Sequence, residues 1–352
     1  MLIRADKLTE VVKTMCERAG SDPQEAAAVA ENLVDANLKG HDSHGVGLIP
    51  RYIAHALDGR LTVGACPTVV SDSGSFLLLD GNMGYGQTVG AECMQLAIAK
   101  AREHGVAVVG LRNVHHLGRI GAWGEMAAAA GFIAIHFVNA HGHEPLVAPF
   151  GGYDARYSTN PFCTALPATP DNPMLVLDMA TSRVAQGKVR VAHYKGVPVP
   201  EGALVGPDGL PTTDASVMFS EPMGAILSFG EHKGYGLALL CEILAGALTG
   251  GGTARPEQHR QNTIRNHMLS ILVDPDGFRQ QIPFREEIDR LTAWVKSSRR
   301  QPGVEEIMVP GDPERKSTEA RLEAGIEIDD NTWNEIVQCG LGLGMNRVAF
   351  PE

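Results

Sequence analysis

This sequence has no block of lysine or arginine, no closely paired cysteines and no uninterrupted apolar run of membrane length. Its formal charge is −11. Without a basic face, neither nucleic acid nor an anionic membrane is the expected partner. The six cysteines (Cys16, Cys66, Cys93, Cys163, Cys241, Cys339) are scattered, and none forms Cys-x-x-Cys. That argues against a zinc ribbon and a dithiol redox motif. Buried, reduced thiols are expected, which suits the cytosol. The start, Met1 to Asp6, lacks the apolar core and cleavage site of a signal peptide. The longest apolar stretch, Gly236 to Leu248, is interrupted by Glu242 and is too short to span a bilayer. A cytoplasmic protein is expected. Two nucleotide signatures are also missing: no Rossmann Gly-x-Gly-x-x-Gly follows a first strand, and no P-loop occurs. Gly84-Tyr85-Gly86-Gln87-Thr88-Val89-Gly90 is a near miss with one extra residue, and reads as a turn before it reads as a phosphate cradle.

What is present is 352 residues with 44% apolar content, enough for two domains or one large domain with an intertwined lobe. Forty glycines and 5% aromatics point to tight turns and close packing of small residues. The first seventy residues read as helical. Ser21-Asp22-Pro23 supplies an N-cap and a first-turn proline, and Gly40 ends that helix. From about Ser75 the pattern alternates. Phe76–Leu79 reads as a strand, Thr88–Glu103 as a helix, Val106–Leu111 as a strand, Ile120–Ala130 as a helix and Phe132–Val138 as a strand. This is an α/β signature. Met174–Leu177 and Leu269–Val273 read as further buried strands. Glu286–Ser297 and Thr332–Leu341 read as helices, and Arg255–Arg265 as a polar surface segment.

The run His41-Asp42-Ser43-His44-Gly45-Val46-Gly47 places two imidazoles, a carboxylate and a hydroxyl just past a helix end. Imidazole titrates near neutrality and can give or take a proton at working pH. A second cluster, Asn113-Val114-His115-His116-Leu117-Gly118-Arg119, sits in a similar loop. Ser43 beside His44 is a conceivable nucleophile, but the context is not a strand–turn–helix elbow. Asp178-Met179-Ala180-Thr181-Ser182 follows a strand and reads either as a phosphate or ribose site or as an ordinary N-cap. Lys233, between glycines at a helix start, misfits the positive end of the dipole and so favours an anionic partner. His141-Gly142-His143-Glu144 has metal donors, yet no metal-ligand spacing surrounds them, and no metal is expected. A metal-dependent hydrolase drawing on His141, His143 and Glu144 is the alternative from another class.

Taken in order, Asp42-Ser43-His44-Gly45, Asn160-Pro161, Asp178-Met179-Ala180-Thr181-Ser182, Gly187-Lys188, His232-Lys233-Gly234-Tyr235 and Pro310-Gly311-Asp312 make the chain resemble the type-2 malate/L-lactate dehydrogenase family over most of its length. The resemblance implies a non-Rossmann, mixed-sheet NAD(P)-binding domain. It is inserted between N- and C-terminal segments that form a second, mainly helical lobe. The implied boundaries are residues 1–72, 73–250 and 251–352. It further implies a homodimeric oxidoreductase using NAD or NADP, with a small 2-hydroxy or 2-oxo acid as substrate. A cyclic imine reductase is the alternative within the family. By the same likeness His44 contacts cofactor and substrate, and His44 or His116 moves the proton. Gly118, Arg119, Ile120, Asp178 to Ser182, Lys233, Asn266, Gly311 and Asp312 match cofactor positions. Many relatives carry an arginine where Leu48 stands, and leucine cannot bind a carboxylate. Arg119 or Arg51, with Tyr52 alongside, is therefore expected to hold the substrate. Leu48 then lines an apolar pocket suited to a bulkier 2-oxo acid such as an arylpyruvate.

Overall fold

Apolar residues at every second position build one large sheet, and at every third or fourth position they build the helices packed on it. The computed structural model describes residues 1–259, 262–278 and 282–351. The strands are β1 (Leu2–Ile3), β2 (Thr68–Ser73), β3 (Phe76–Asp80), β4 (Val106–Val114), β5 (Ile133–His141), β6 (Phe162–Leu166), β7 (Leu175–Met179), β8 (Leu204–Val205), β9 (Pro211–Thr212), β10 (Ala225–Ile226), β11 (Arg265–Val273) and β12 (Ile326–Glu327). The helices are α1 (Ala5–Arg18), α2 (Pro23–Leu38), α3 (Ile49–Leu57), α4 (Gly86–His104), α5 (Gly121–Ala129), α6 (Gln186–Lys195), α7 (His232–Cys241), α8 (Pro256–His259), α9 (Phe284–Lys296), α10 (Asp312–Ala324) and α11 (Asp330–Gly342). None of them is long and apolar enough to cross a membrane.

Seven strands form a mixed sheet in the order β2-β3-β4-β11-β5-β6-β7. The unit β3–α4–β4 is a parallel crossover, and every other pairing in the sheet is antiparallel. Leu79, Val109, Leu111, Ala134, Met268 and Leu272 share one face, packed against Val89, Cys93 and Met94 of α4 and Trp123 of α5. Fully burying such a leucine contributes about 1.5–3 kcal/mol.

The expected boundaries shift. Thr68 to Ser73 belongs to the sheet, so the first lobe ends before residue 72. The boundary at 250 fails outright, because β11 occupies the slot between β4 and β5. Its Met268 and Leu272 are buried in the core of the sheet. The Arg255–Arg265 segment is not all surface either: Ile264 is buried and Arg265 opens β11, while Arg260 and Gln261 lie outside the described residues. The thiols also divide. Cys66 is exposed and Cys339 half-buried, and only the other four are buried.

The chain ends meet. β1 pairs with β12, and Leu8, Val12, Met15, Leu33, Ile49 and Tyr52 share a core with Ile326, Ile328, Trp333 and Phe350. A third, small core of Leu146, Val147, Val189 and Leu204 lies under the three-stranded sheet β10-β8-β9.

Candidate active site

The His44 loop is built by the end of α2. Asp22 caps the start of that helix, accepting from Gln24 N and Glu25 N at 2.7 and 2.9 Å. At the other end Asn37 donates to Asp42 at 2.7 Å and accepts from Val46 N at 2.8 Å, folding the loop back on the helix. Only glycine fits at position 45, since a β-carbon there would lie 2.2 Å from Asn37 Oδ1. α10 clamps this loop from outside. Arg321 donates to both oxygens of Asp42 at 2.6 and 3.0 Å, and His41 bonds Glu314 at 3.2 Å.

The His116 loop leaves the end of β4. Leu117 N donates to Asn266 Oδ1 of β11 at 2.8 Å, and Trp123 Nε1 donates to Leu117 O at 3.1 Å. Gly86 lets α4 abut this loop, because a β-carbon there would lie 2.1 Å from His116 O. The Gly84–Gly90 near miss is thus a contact between the start of α4 and the His116 loop.

These loops stack the His44 and His116 rings, centroids 5.4 Å apart and planes 23° apart. Ser43 Oγ bonds His44 Nδ1 at 2.8 Å, and Tyr52 Oη bonds His116 Nδ1 at 2.5 Å. Each ring therefore spends Nδ1 on a hydroxyl and keeps Nε2 for the cavity. His115 turns the other way and bonds His55 at 2.8 Å. Burial, then the neighbouring His41 and Arg119 charges, push His44 down to about 4. Burial, then His44 and His115, hold His116 well below its ordinary value. Both rings are neutral bases at pH 7.

A cavity of about 320 Å³ opens beside the rings. Ser43, His44, Leu48, Arg51, His116, Gly118, Ile120 and Asn266 all line it. So do Leu146, Thr159, Gln186 and Met223, for which the sequence pointed to no role, and His143 and Gly187, which it offered only as a metal donor and as part of a family motif. Arg51 has no ion pair among the described residues. Gly187 was legible only as part of a family motif; a β-carbon there would lie 2.8 Å from Ser43 Cβ. A neighbouring cavity of about 460 Å³ shares Glu144 and Met223 but has no imidazole in its wall.

Two expected substrate contacts are corrected. Arg119 is 2% exposed and bonds Glu125 at 2.7 Å and Asp35 at 3.2 Å, with Lys39 completing the cluster. Its charge is absorbed inside the protein, which leaves Arg51 as the cation at the cavity. Tyr52 is fully buried behind His116 and reaches that ring instead of the cavity.

The expected cofactor residues outside the cavity wall fall in three places. Asp178 accepts from Gly121 N at 2.7 Å, and burial raises its carboxyl above the ordinary value. Met179 and Ala180 are half-buried after it. Thr181 donates to the Thr159 and Asn160 carbonyls at 3.0 Å and Ser182 to Val184 O at 2.8 Å. Their hydroxyls are spent, so neither offers one to a phosphate. Neither caps a helix: α6 begins later, after Ala185. Thr181 N bonds Thr159 O, which sets this loop directly behind the cavity wall. Lys233 is exposed in the first turn of α7, without an ion pair among the described residues. Gly311 and Asp312 lie against the outer strand β7, where Pro310 O accepts from Val176 N, and Asp312 is committed to Lys296 and Arg315.

After Cys241, α7 continues as a π-helical stretch, Glu242–Ala247, a feature that recurs at functional sites. It buries Glu242, which accepts from Asn160 Nδ2 at 2.9 Å and Asn139 Nδ2 at 3.1 Å. Asn160 is thereby held at φ +25°, which aims Thr159 and Pro161 at the cavity. The His141–Glu144 donors do not assemble: His141 bonds His267 at 2.7 Å, and His143 Nδ1 bonds the Glu144 carbonyl. Among the described residues no three histidine, cysteine or acidic side chains group as metal ligands.

A non-Rossmann mixed sheet carrying this imidazole pair defines a class, and the chain belongs to it: the family described as malate/L-lactate dehydrogenase matches residues 3–337. The chain is 43% identical to hydroxycarboxylate dehydrogenase B of Escherichia coli (strain K12) over 343 residues, covering 97% of this chain and 94% of that protein. It is 42% identical to an L-lactate dehydrogenase of Cupriavidus necator over 327 residues, covering 92% and 91%. The structure of malate dehydrogenase from Pyrococcus horikoshii OT3 superposes with a TM-score of 0.87 at 32% identity, covering 98% of this chain and 96% of that one.

Proposed function

We propose that the protein interconverts 2-hydroxy acids and 2-oxo acids with NAD or NADP, and that it favours substrates with bulky apolar or aromatic side chains. The observation that carries this reading is the stacked His44–His116 pair at a cavity whose wall also holds Arg51, which has no ion pair among the described residues. The residues present suit a nicotinamide cofactor. Ile120, Val138, Ala140 and Pro161 offer an apolar wall beside the imidazoles, and Lys233, exposed outside that wall at the start of α7, is the cation read as meeting a phosphate. When bound, the nicotinamide supplies or accepts the hydride at the substrate's C2.

The chain's own residues do the rest. Arg51 holds the carboxylate through paired N–H donors. Leu48, Leu146 and Met223 receive the substrate's side chain and exclude water from it. In oxidation a neutral imidazole takes the hydroxyl proton at Nε2, and in reduction the same nitrogen returns it to the carbonyl oxygen. Acid–base help of this kind contributes about 10²–10⁴-fold. As in the expectation from the family, the working unit is read as a homodimer.

The test is a panel of pyruvate, oxaloacetate, phenylpyruvate and a cyclic ketimine carboxylate, each with NADH and NADPH, followed by loss of reduced-cofactor absorbance. Phenylpyruvate is expected to show the highest kcat/KM. A panel in which only the ketimine turns over overturns the 2-oxo acid reading in favour of imine reduction.

A further inference from the structure

We propose that Tyr52 is a positioning residue: it fixes the proton of His116 on Nε2, so that His116 serves as a hydrogen-bond donor and His44 as the acid and base. The kinetic part of this inference rests on the dehydrogenase reading above; the proton placement does not.

The proton count runs through three buried groups. Gln87 Nε2, on α4, donates to Tyr52 Oη at 3.2 Å. A phenol has a single proton. A buried phenol proton needs an acceptor, and beside the amide donor the contact that offers one is His116 Nδ1 at 2.5 Å. A neutral imidazole that accepts at Nδ1 carries its own proton on Nε2. Gln87 is 2% exposed and Tyr52 fully buried, so no bulk solvent competes for either bond. The titratable and charged groups acting on His116 are His44, His115, Arg51 and His143, none of them a carboxylate that would draw a second proton onto the ring.

His44 is placed differently. Its Nδ1 partner is the Ser43 hydroxyl, at 2.8 Å. A serine hydroxyl rotates and can donate or accept. His44 can therefore keep its Nδ1 proton on the Ser43 oxygen, so that Nε2 carries a lone pair in the neutral ring and a proton in the imidazolium. In reduction, C2 gains the hydride, the carbonyl oxygen takes its proton from Nε2 of His44 in its imidazolium form, which returns to the neutral ring, and His116 Nε2–H donates to the same oxygen while its charge grows. Oxidation runs the same exchange backwards: the hydroxyl proton passes to neutral His44 as hydride leaves C2.

The test combines ¹⁵N spectra of histidine-labelled protein with kinetics. The His116 signals are assigned by comparison with His116→Gln. In the wild-type protein a protonated Nε2 and an unprotonated Nδ1 are expected at His116. In Tyr52→Phe the signals should move toward a mixture of tautomers. There kcat should fall about ten- to hundredfold with KM within twofold. His44→Gln should lose far more rate than His116→Gln, whose amide can still donate. Should Tyr52→Phe fail to fold, Gln87→Met gives the same spectral readout with the phenol retained. A wild-type His116 protonated on Nδ1 overturns the proposal. So does a Tyr52→Phe protein with unchanged spectrum and kcat. A wild-type protein inactive on every 2-oxo acid overturns the dehydrogenase reading alone, and the ¹⁵N result still decides the role of Tyr52.

Discussion

Two of the imidazole pairs inside this protein, His44–His116 and His141–His267, spend their nitrogens in opposite ways. In the second pair the rings bond each other directly at 2.7 Å, and His267 Nδ1 also accepts from Asn113 N at 2.9 Å. Every nitrogen of His267 is used to tie β4, β5 and β11 together. In the first pair the rings stack, and each bonds a hydroxyl through Nδ1. Stacking leaves the outer nitrogens to the cavity. The same side chain is a rivet in one place and open to the cavity in the other, and the difference lies in which atoms the neighbours claim.

Paired substitutions break or sharpen that contrast. His44→Gln should lower kcat by about 10²–10⁴-fold at an unchanged melting temperature. His267→Gln should instead cost about 1–3 kcal/mol of stability, by stranding buried polar groups, with kcat within a few-fold. Urea titrations and steady-state kinetics on the same preparations decide it; an inactive His267→Gln protein of wild-type stability would dissolve the distinction. The arginines extend it. Arg119→Met should cost about 3–5 kcal/mol, because Asp35 and Glu125 lose their buried partner. Arg51→Met should leave stability alone and raise KM for 2-oxo acids about tenfold or more. A raised KM at Arg119 and none at Arg51 would reverse the assignment made from their surroundings.

The smallest effect is spread over many rings. Burial lowers His44, His55 and His136 to about 4 and His115 to about 3. Unfolded, each would titrate near about 6.5. Above that pH both states are neutral and no stability changes. As pH falls from about 6.5 toward 4, the unfolded chain binds protons that the folded one refuses, so stability drops. Urea midpoints measured from pH 8 to pH 4 should be flat down to about 6.5 and then decline steadily.

The alternation of strand and helix from Phe76 to Val138 was legible in the sequence, because local periodicity decides it. The place of β11 was not: it inserts between strands more than a hundred residues earlier in the chain, and nothing local records that order. The two-residue strands β8, β9 and β10 carry no period at all. At the site, His44, His116 and Arg51 could be read from residue type and motif. The burial of Arg119 could not, because it depends on Asp35 and Glu125 arriving from two other helices. Gln87 gave no signal, being one polar residue in a helix, and its meaning comes only from the phenol beside it.

The pairing of Leu2–Ile3 with Ile326–Glu327, together with the grip of Arg321 on Asp42, has a consequence for biosynthesis. During translation the amino-terminal helices emerge hundreds of residues before the segment that covers them. The nascent polypeptide must keep an apolar flank uncovered until the segment from Ile326 to Phe350 has emerged. A product cut short before Arg321 would hold both rings of the cavity wall yet lack the brace on the loop that carries one of them.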